Sequence, residues 1–423
     1  MKALARIALI LLVAAGLLAA LVAWLNLRGE EPPDAAALAI TPALVERGAY
    51  LARAGNCIGC HTARGGVPYA GGRAIETPFG NVYSSNLTPD ATGLGGWSAH
   101  EFRRALRHGR SKDGRLLVPA FPYPNYTELA RDDADALYAY LQSLPPVAQA
   151  NRPHGLRFPY DTQLALAVWR ALFFVPGAPP PDAGRSPEWQ RGAYLVRGLG
   201  HCTACHTPRN ALGGSRAASE LAGGLIPVQN WYAPSLLSPD EAGVAHWSAD
   251  EVVELLKTGR NARATVSGPM AEVVARSTQY LGDADLRAMA VFLQSLPQTT
   301  ARRADAARPE AATLQQGAAL YDRHCSDCHG AAGEGAPGIA PPLAGNRTVT
   351  MDSPVNLLRS ILAGGYAPST AGNPRPHGMP PFAQTLDDRE IAALASLLRA
   401  SWGHAAEPVT AVQALQARQR SAR

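Results

Sequence analysis

The sequence predicts an all-α chain in which three tandem helical units follow an N-terminal membrane helix. Three observations predict it. A chain of 423 residues corresponds to about three domains at ~150 residues each. All six cysteines fall into three strings of one kind: Cys57-Ile-Gly-Cys60-His61, Cys202-Thr-Ala-Cys205-His206 and Cys325-Ser-Asp-Cys328-His329. Helical segments recur before and after each string, with no convincing strand alternation between them.

The elements follow in order. Lys2 and Arg6 precede an uncharged run from Ile7 to Leu25, which reaches the ~20 residues that cross a hydrocarbon core at 1.5 Å rise each. A secretory h-region is shorter, and Ala37-Leu38-Ala39, which looks like a cleavage site, lies far beyond the run. Residues 1–30 are therefore read as an uncleaved anchor in preference to a cleaved signal, with Trp24 at the interface and the two cations held inside. Glu30 to Asp34, with Pro32 and Pro33, read as a stiff polar tether.

Units at 42–148, 187–298 and 312–404 come from the repeats. Glu46-Arg47-Gly48-Ala49-Tyr50-Leu51, Gln190-Arg191-Gly192-Ala193-Tyr194-Leu195 and Gln316-Gly317-Ala318-Ala319-Leu320-Tyr321 each open a unit as a helix. Asp135 to Pro145 matches Asp285 to Pro297 as a closing helix, with aspartates capping the start and proline after the end. The third closer is Asp387 to Trp402. Asn86-Leu87-Thr88-Pro89-Asp90 with Trp97-Ser98 echoes Leu236-Leu237-Ser238-Pro239-Asp240 with Trp247-Ser248. In the linker 149–186, Leu164, Val168, Ala171, Leu172 and Val175 have helical spacing and read as a helix packed between domains, a membrane-surface helix being the alternative. Residues 405–423 read as a loose basic tail.

Composition narrows the function. Hydrophobic residues at 47% exclude a disordered chain, and a net charge of +5 over this length excludes a strongly basic nucleic-acid binder. Cys-x-x-Cys-His is the attachment signature of haem c. Two thiols form thioethers with the two vinyl groups, and the adjacent histidine reaches the iron. A redox dithiol needs no histidine after each pair, and zinc needs two pairs converging on one ion, which strands the third. Three covalently bound haems c are expected, on Cys57, Cys60, Cys202, Cys205, Cys325 and Cys328, with iron ligated by His61, His206 and His329.

A methionine opposite the histidine raises the potential and favours electron transfer. Met379 in Pro376-His377-Gly378-Met379-Pro380-Pro381 and Met270 in Ser267-Gly268-Pro269-Met270 both stand before a closing helix and are the expected sixth ligands. Met289 reads as core and Met351 as a surface or packing residue. The first unit has no methionine; Phe121 stands where one is expected, and His100, His108 and His154 read as ordinary surface or helix residues. The first haem is expected to differ from the other two. The Pro341 carbonyl is the candidate acceptor for the other nitrogen of His329. Gly65-Gly66 and Gly71-Gly72 read as loops passing close to a flat ring, or equally as plain turns.

From Glu46 to Trp402 the chain resembles the three-haem cytochrome c subunits of membrane-bound bacterial dehydrogenases of the alcohol and gluconate type. The strings that carry the resemblance are Arg47-Gly48-Ala49-Tyr50, Thr77-Pro78-Phe79-Gly80, Trp231-Tyr232-Ala233-Pro234, Gly268-Pro269-Met270-Ala271-Glu272, Ser277-Thr278-Gln279-Tyr280-Leu281 and Gly378-Met379-Pro380-Pro381-Phe382. Many members have methionine at the place of Phe121. The resemblance implies three class I c-type cytochrome domains, and an electron-transfer subunit with no catalysis of its own. Electrons would come from a quinoprotein, flavoprotein or molybdenum dehydrogenase partner and pass to ubiquinone or a membrane oxidase, on the periplasmic side of the inner membrane. The alternatives are a cytochrome subunit of a terminal oxidase or reductase, and a haem enzyme acting at the first haem.

Overall fold

A computed structural model of the chain describes residues 1–34, 36–299 and 307–421. Residues 422 and 423 of the expected tail lie outside the described residues. The helix Lys2–Leu27 is continuous, with a mean hydropathy of 2.8 over its most apolar stretch and none of that stretch buried. Among the described residues it is the one helix long and apolar enough to cross a membrane.

Each unit is organised by an opening helix crossing a closing helix. The opening helices are Pro42–Ala54, Pro187–Ala193 (running on as a π-turn, Tyr194–Leu199) and Ala311–His324. The closing helices are Arg131–Gln142, Asp283–Gln294 and Asp388–Ala400. Thr41 and Ser186 cap the first two openers, each followed by proline at the first helical position. The crossing is so close that only glycine fits. A Cβ on Gly48 would stand 1.9 Å from the Ala136 carbonyl oxygen, one on Gly192 1.9 Å from that of Ala288, and one on Gly317 2.5 Å from that of Ala393. The Trp-Ser echoes also have a local reason. Ser98 and Ser248 each form a capping box, with Glu101 and Glu251, at the start of Ala99–His108 and Ala249–Thr258.

The core divides unevenly. One apolar cluster runs through the first two units, from Leu51 and Leu137 to Leu195, Leu286 and Phe292. A second, with Leu320, Leu358, Ile361 and Leu394, belongs to the third unit. The third unit docks on the second through Asn356, whose side chain accepts from the Tyr232 N–H at 2.9 Å and donates to the Tyr232 carbonyl at 2.7 Å.

Several expectations need correction. Helices dominate, but among the described residues there are three small antiparallel sheets: Ala74–Thr77 with Gly80–Tyr83 and Gly155–Leu156, Gly224–Ile226 with Trp231–Ala233, and Gly365–Tyr366 with Gly378–Met379. Strands of two to four residues are too short for alternation to be visible. The aspartates do not cap the first two closers, whose caps are Ala130 and Gly282 without side-chain bonds; only Asp387, in the third, is a true cap. The crossing glycines set Ala136 against Ala288, so Asp133, not Asp135, corresponds to Asp285.

Glu30 to Asp34 is not a free tether. Asp34 pairs with Arg103 at 2.5 Å and Glu30 with Arg110 at 2.6 Å, while Glu31 pairs with Arg107. The loose tail is instead a docked helix, Ala411–Ser421, with Ala414 and Val409 buried. Arg418 bonds Asp388 at 2.7 Å and the Leu386 carbonyl at 2.7 Å, so polar bonds supply what a thin apolar face lacks. The linker helix is Gln163–Phe173, Trp169 Nε1 donating to the Leu212 carbonyl at 2.9 Å and Gln163 Nε2 to the Leu116 carbonyl at 3.2 Å. Its packed residues are Leu166, Arg170 and the following Phe174, not the stripe expected from the sequence.

Gly48→Ala or Gly192→Ala should cost about 1–3 kcal/mol through forced separation of the crossing helices. Gly96→Ala, where a Cβ meets nothing nearer than Lys112 Nζ at 3.5 Å, should leave the melting temperature nearly unchanged. Thermal denaturation of the three variants checks this.

Candidate functional site

The three Cys-x-x-Cys-His strings fold alike. Each occupies a single helical turn, Cys57–Cys60, Thr203–His206 or Ser326–His329, at the end of its opening helix. All six cysteines are unbridged. Burial pushes the Cys57 and Cys202 thiols up to about 12 and that of Cys325 to about 11. A redox dithiol needs the opposite shift. Among the described residues no three His, Cys, Asp or Glu side chains converge to hold a metal ion by themselves.

Each motif histidine is oriented by one bond. His61 Nδ1 lies 2.7 Å from the Ser85 carbonyl, His206 Nδ1 2.7 Å from that of Pro234, and His329 Nδ1 3.0 Å from that of Pro341. A carbonyl only accepts, so Nδ1 carries the proton and Nε2 is left with its lone pair. Burial lowers the pKa of all three imidazoles, outweighing the raising effect of that bond. The Pro341 acceptor is the one expected from sequence; Ser85 and Pro234 were not.

A glycine supports each acceptor loop. Gly71, Gly223 and Gly335 donate their N–H to the carbonyls of His61, His206 and His329 at 2.9, 2.8 and 2.8 Å. All three have φ between +71° and +80°, the left-handed region that costs glycine nothing. A Cβ there would strike backbone of the acceptor loop at 2.5–2.7 Å: Ser85 for Gly71, Ser235 for Gly223, Pro342 for Gly335. Gly71 is thus a buttress of the histidine's acceptor rather than a spacer beside a ring.

The remaining site candidates divide. Met270, near the start of Gly268–Arg276, and Met379, in a short strand, are half-buried at the edges of their cores. Met289 and Met351 are buried packing residues. Phe121 packs on Tyr126 with ring centroids 5.5 Å apart. His154 Nδ1 accepts from the Tyr83 N–H, and His108 is buried beside the linker helix. Each motif therefore offers what a covalently attached haem requires: two thiols one turn apart and a neutral imidazole with Nε2 available.

The first two units exchange contacts about their motifs. Arg47 pairs with Asp133 at 2.5 Å within the first unit, and Arg191 with Asp285 at 2.8 Å within the second. The tyrosines cross over: Tyr194 donates to Asp133 at 2.5 Å and Tyr50 to Asp285 at 2.7 Å. Asn125, just after Phe121, donates to Thr203 Oγ1 at 2.5 Å inside the second motif. In return Ser277 donates to the Ala54 carbonyl at 2.9 Å, and Glu272 pairs with Arg73 at 2.6 Å, while Arg73 also bonds the Gly59 carbonyl in the first motif. The segment before each unit's closing helix therefore lies against the other's Cys-x-x-Cys-His turn or the end of its opening helix. The repeated Arg-Gly-Ala-Tyr string was the available signal, but its spacing gave no hint that Tyr reaches across.

The cytochrome c family model matches residues 45–145 and 314–402. The chain is 41% identical over 392 residues to the cytochrome c subunit of the quinone alcohol dehydrogenase of Gluconacetobacter polyoxogenes, covering 88% of this chain and 84% of that one. It is 38% identical to the gluconate 2-dehydrogenase cytochrome c subunit of Pantoea cypripedii, over 86% and 87% of the two chains. It is 37% identical to the fructose dehydrogenase cytochrome subunit of Gluconobacter japonicus, over 94% and 87%.

The interface carboxylate gives a pH prediction. Burial raises the Asp285 pKa, but Arg191 and Tyr50 more than offset it, so the net shift is downward. A lowered folded pKa means stabilisation present above the unfolded value of about 3.9 and lost as pH falls through the folded value. Asp285→Asn should cost about 2 kcal/mol at pH 7 and flatten the loss of stability below about pH 4. Denaturant titrations at a series of pH values check both.

Proposed function

The chain belongs to the cytochrome c subunits of dehydrogenase complexes, electron-transfer components rather than catalytic subunits, and from that premise we propose that it carries three covalent haems c. The observation that carries the reading is the threefold recurrence of one construction: paired thiols, a neutral histidine tied at Nδ1, and a left-handed glycine behind the acceptor loop. We assign attachment to Cys57, Cys60, Cys202, Cys205, Cys325 and Cys328, and iron ligation to His61, His206 and His329. The units 42–148, 187–298 and 312–404 are then three c-type cytochrome domains, the first two fused through one core. When bound, haem c supplies reversible one-electron exchange at iron. The protein's part is to fix the imidazoles, exclude water, and set the sixth ligand.

Met270 and Met379 are the proposed sixth ligands in the second and third domains. Phe121 offers no ligating atom, so the first centre lacks the potential-raising thioether and stands lowest of the three. Electrons enter from a catalytic dehydrogenase partner and leave to ubiquinone or a membrane oxidase.

Lys2–Leu27 is read as a retained anchor in the inner membrane, with the haem domains on the periplasmic side. The buried polar contacts that follow it support retention. Cleavage after Ala39 would remove Asp34 from Arg103, whose side chain is 3% exposed, and Asn26 from buried Arg170.

Intact-mass measurement of natively matured chain should give the polypeptide plus three haems. Replacing both cysteines of any one motif by alanine should reduce the count to two; a wild-type mass with fewer than three haems overturns the assignment. Spectroelectrochemical titration should resolve one centre of lower potential, and Met270→Ala and Met379→Ala should each move one of the other two downward. Three matching centres in the wild type would refute the role given to Phe121.

A further inference from the structure

The linker helix Gln163–Phe173 turns an apolar stripe outward. Leu164, Val168 and Leu172 share one face and are 74%, 41% and 62% exposed, and Val175, just past the helix's end, is 73% exposed. Phe158, on the approach to the helix, is 82% exposed. The one charged residue between Leu164 and Val175 is Arg170, and it is buried on the opposite face. Its guanidinium stands 4.6 Å from the Phe174 ring and 5.2 Å from that of Tyr123 and donates to Asn26 Oδ1 at 2.8 Å and to the His108 carbonyl. The outward stripe is thus contiguous and free of charge. Single exposed apolar residues are ordinary on a protein surface, but such a stripe marks a contact surface.

Its place in the fold says what covers it. Asn26 is the first polar side chain after the run from Ile7 to Leu25, and it is buried. Its Nδ2 donates to the Ala167 carbonyl at 2.9 Å, in the middle of the linker helix. Gly29, just beyond, lies against Pro176 at the helix's far end. At 1.5 Å per residue the run from Ile7 to Leu25 spans about 30 Å, the thickness of a hydrocarbon core. Its outer boundary therefore falls next to Asn26, and the linker helix is bolted to the anchor at that height. Exposed Trp24, with Arg28 5.7 Å over its ring, marks the same level.

We propose that the linker helix lies in the membrane–water interface where the anchor emerges, with Leu164, Val168, Leu172, Val175 and Phe158 set among the lipid chains. The proposal rests on the reading that Lys2–Leu27 is retained as an anchor. Its polar face is not the hydrated one of a free interfacial helix: the Arg170 contacts and the first domain take that place. A single spanning helix leaves a domain free to swivel. A second contact, fixed to the first through Asn26, sets the angle at which the first domain faces the membrane.

The test uses the full haem-loaded chain in vesicles of phosphatidylethanolamine and phosphatidylglycerol. The native cysteines are held in thioethers, so an introduced cysteine is the free thiol that reports. Leu164→Cys and Leu172→Cys should react with a water-soluble maleimide at least about tenfold more slowly than Asp161→Cys, which stands just before the helix, as expected of side chains sunk below the headgroups. Leu12→Cys reports on the anchor independently. Protection at Leu12 with full reactivity at Leu164 and Leu172 overturns the proposal and leaves the anchor reading intact. Reactivity at Leu12 removes both. Protection at Leu164 and Leu172 that appears only in native membranes containing a dehydrogenase partner, and not in the vesicles, assigns the stripe to that partner and also overturns the proposal.

Discussion

An imidazole has two nitrogens and can offer iron only the one that carries no proton. On the proposal that each motif holds a haem, the three histidines depend on settling that choice before iron is bound. The chain does so with the least ambiguous acceptor available, a backbone carbonyl, which cannot donate and so forces the proton onto Nδ1. Ser85, Pro234 and Pro341 supply it from three loops of different sequence. What is common to the loops is the left-handed glycine whose N–H returns to the histidine's own carbonyl. Histidine, acceptor and glycine close a small ring of contacts, so the imidazole is held through backbone and is insensitive to side-chain identity around it. That is why the motif's neighbours vary while the geometry repeats.

The second constraint is proximity. In each unit the opening helix crosses the closing helix at close range, and glycine at 48, 192 and 317 permits the approach. The same short string does further work in the first two units. Arginine before the glycine holds the aspartate of its own closing helix, and tyrosine two residues after it reaches the aspartate of the other unit. The third unit has glutamine and alanine at those places, Gln316 and Ala319 about Gly317. It keeps the glycine crossing, lacks the reciprocal bonds, and has its own core. One repeated element thus distinguishes a fused pair from a docked third member.

Much of this was legible in the sequence. The attachment strings, the opening and closing helices and the apolar helix could be read because they rest on local spacing. The Pro341 carbonyl was within reach because it lies only 12 residues beyond His329. Ser85 and Pro234 were not, since they lie 24 and 28 residues beyond their histidines, and nothing local relates the two distances. The strands were missed because two to four residues carry no period. The tail was misjudged because its attachment is made by Arg418 and the Ser396–Val409 bonds rather than by an apolar face. The register of the first closer was set by its aspartates, whereas packing sets it by the alanine that meets the glycine.

The junction between anchor and first domain shows how buried charge can weld elements that composition would separate. Proline, glutamate and aspartate at 30–34 look like a spacer. Yet Arg103 and Arg170 are buried, and a buried guanidinium without partners costs several kcal/mol. Arg103 finds Asp34 and Asp135; Arg170 finds Asn26 and a backbone carbonyl. Asp34 belongs to the segment that emerges from the apolar helix, and Asn26 to that helix's last turn. Asp34 cannot then be solvated freely without taking a partner from Arg103, and Arg170 cannot move outward without breaking up the packing around Tyr123 and Phe174. Apolar helix, linker helix and first domain are therefore one mechanical body, and on the proposal that the apolar helix is retained in the membrane, the height of the first Cys-x-x-Cys-His turn above it is a property of the fold rather than of a tether's length.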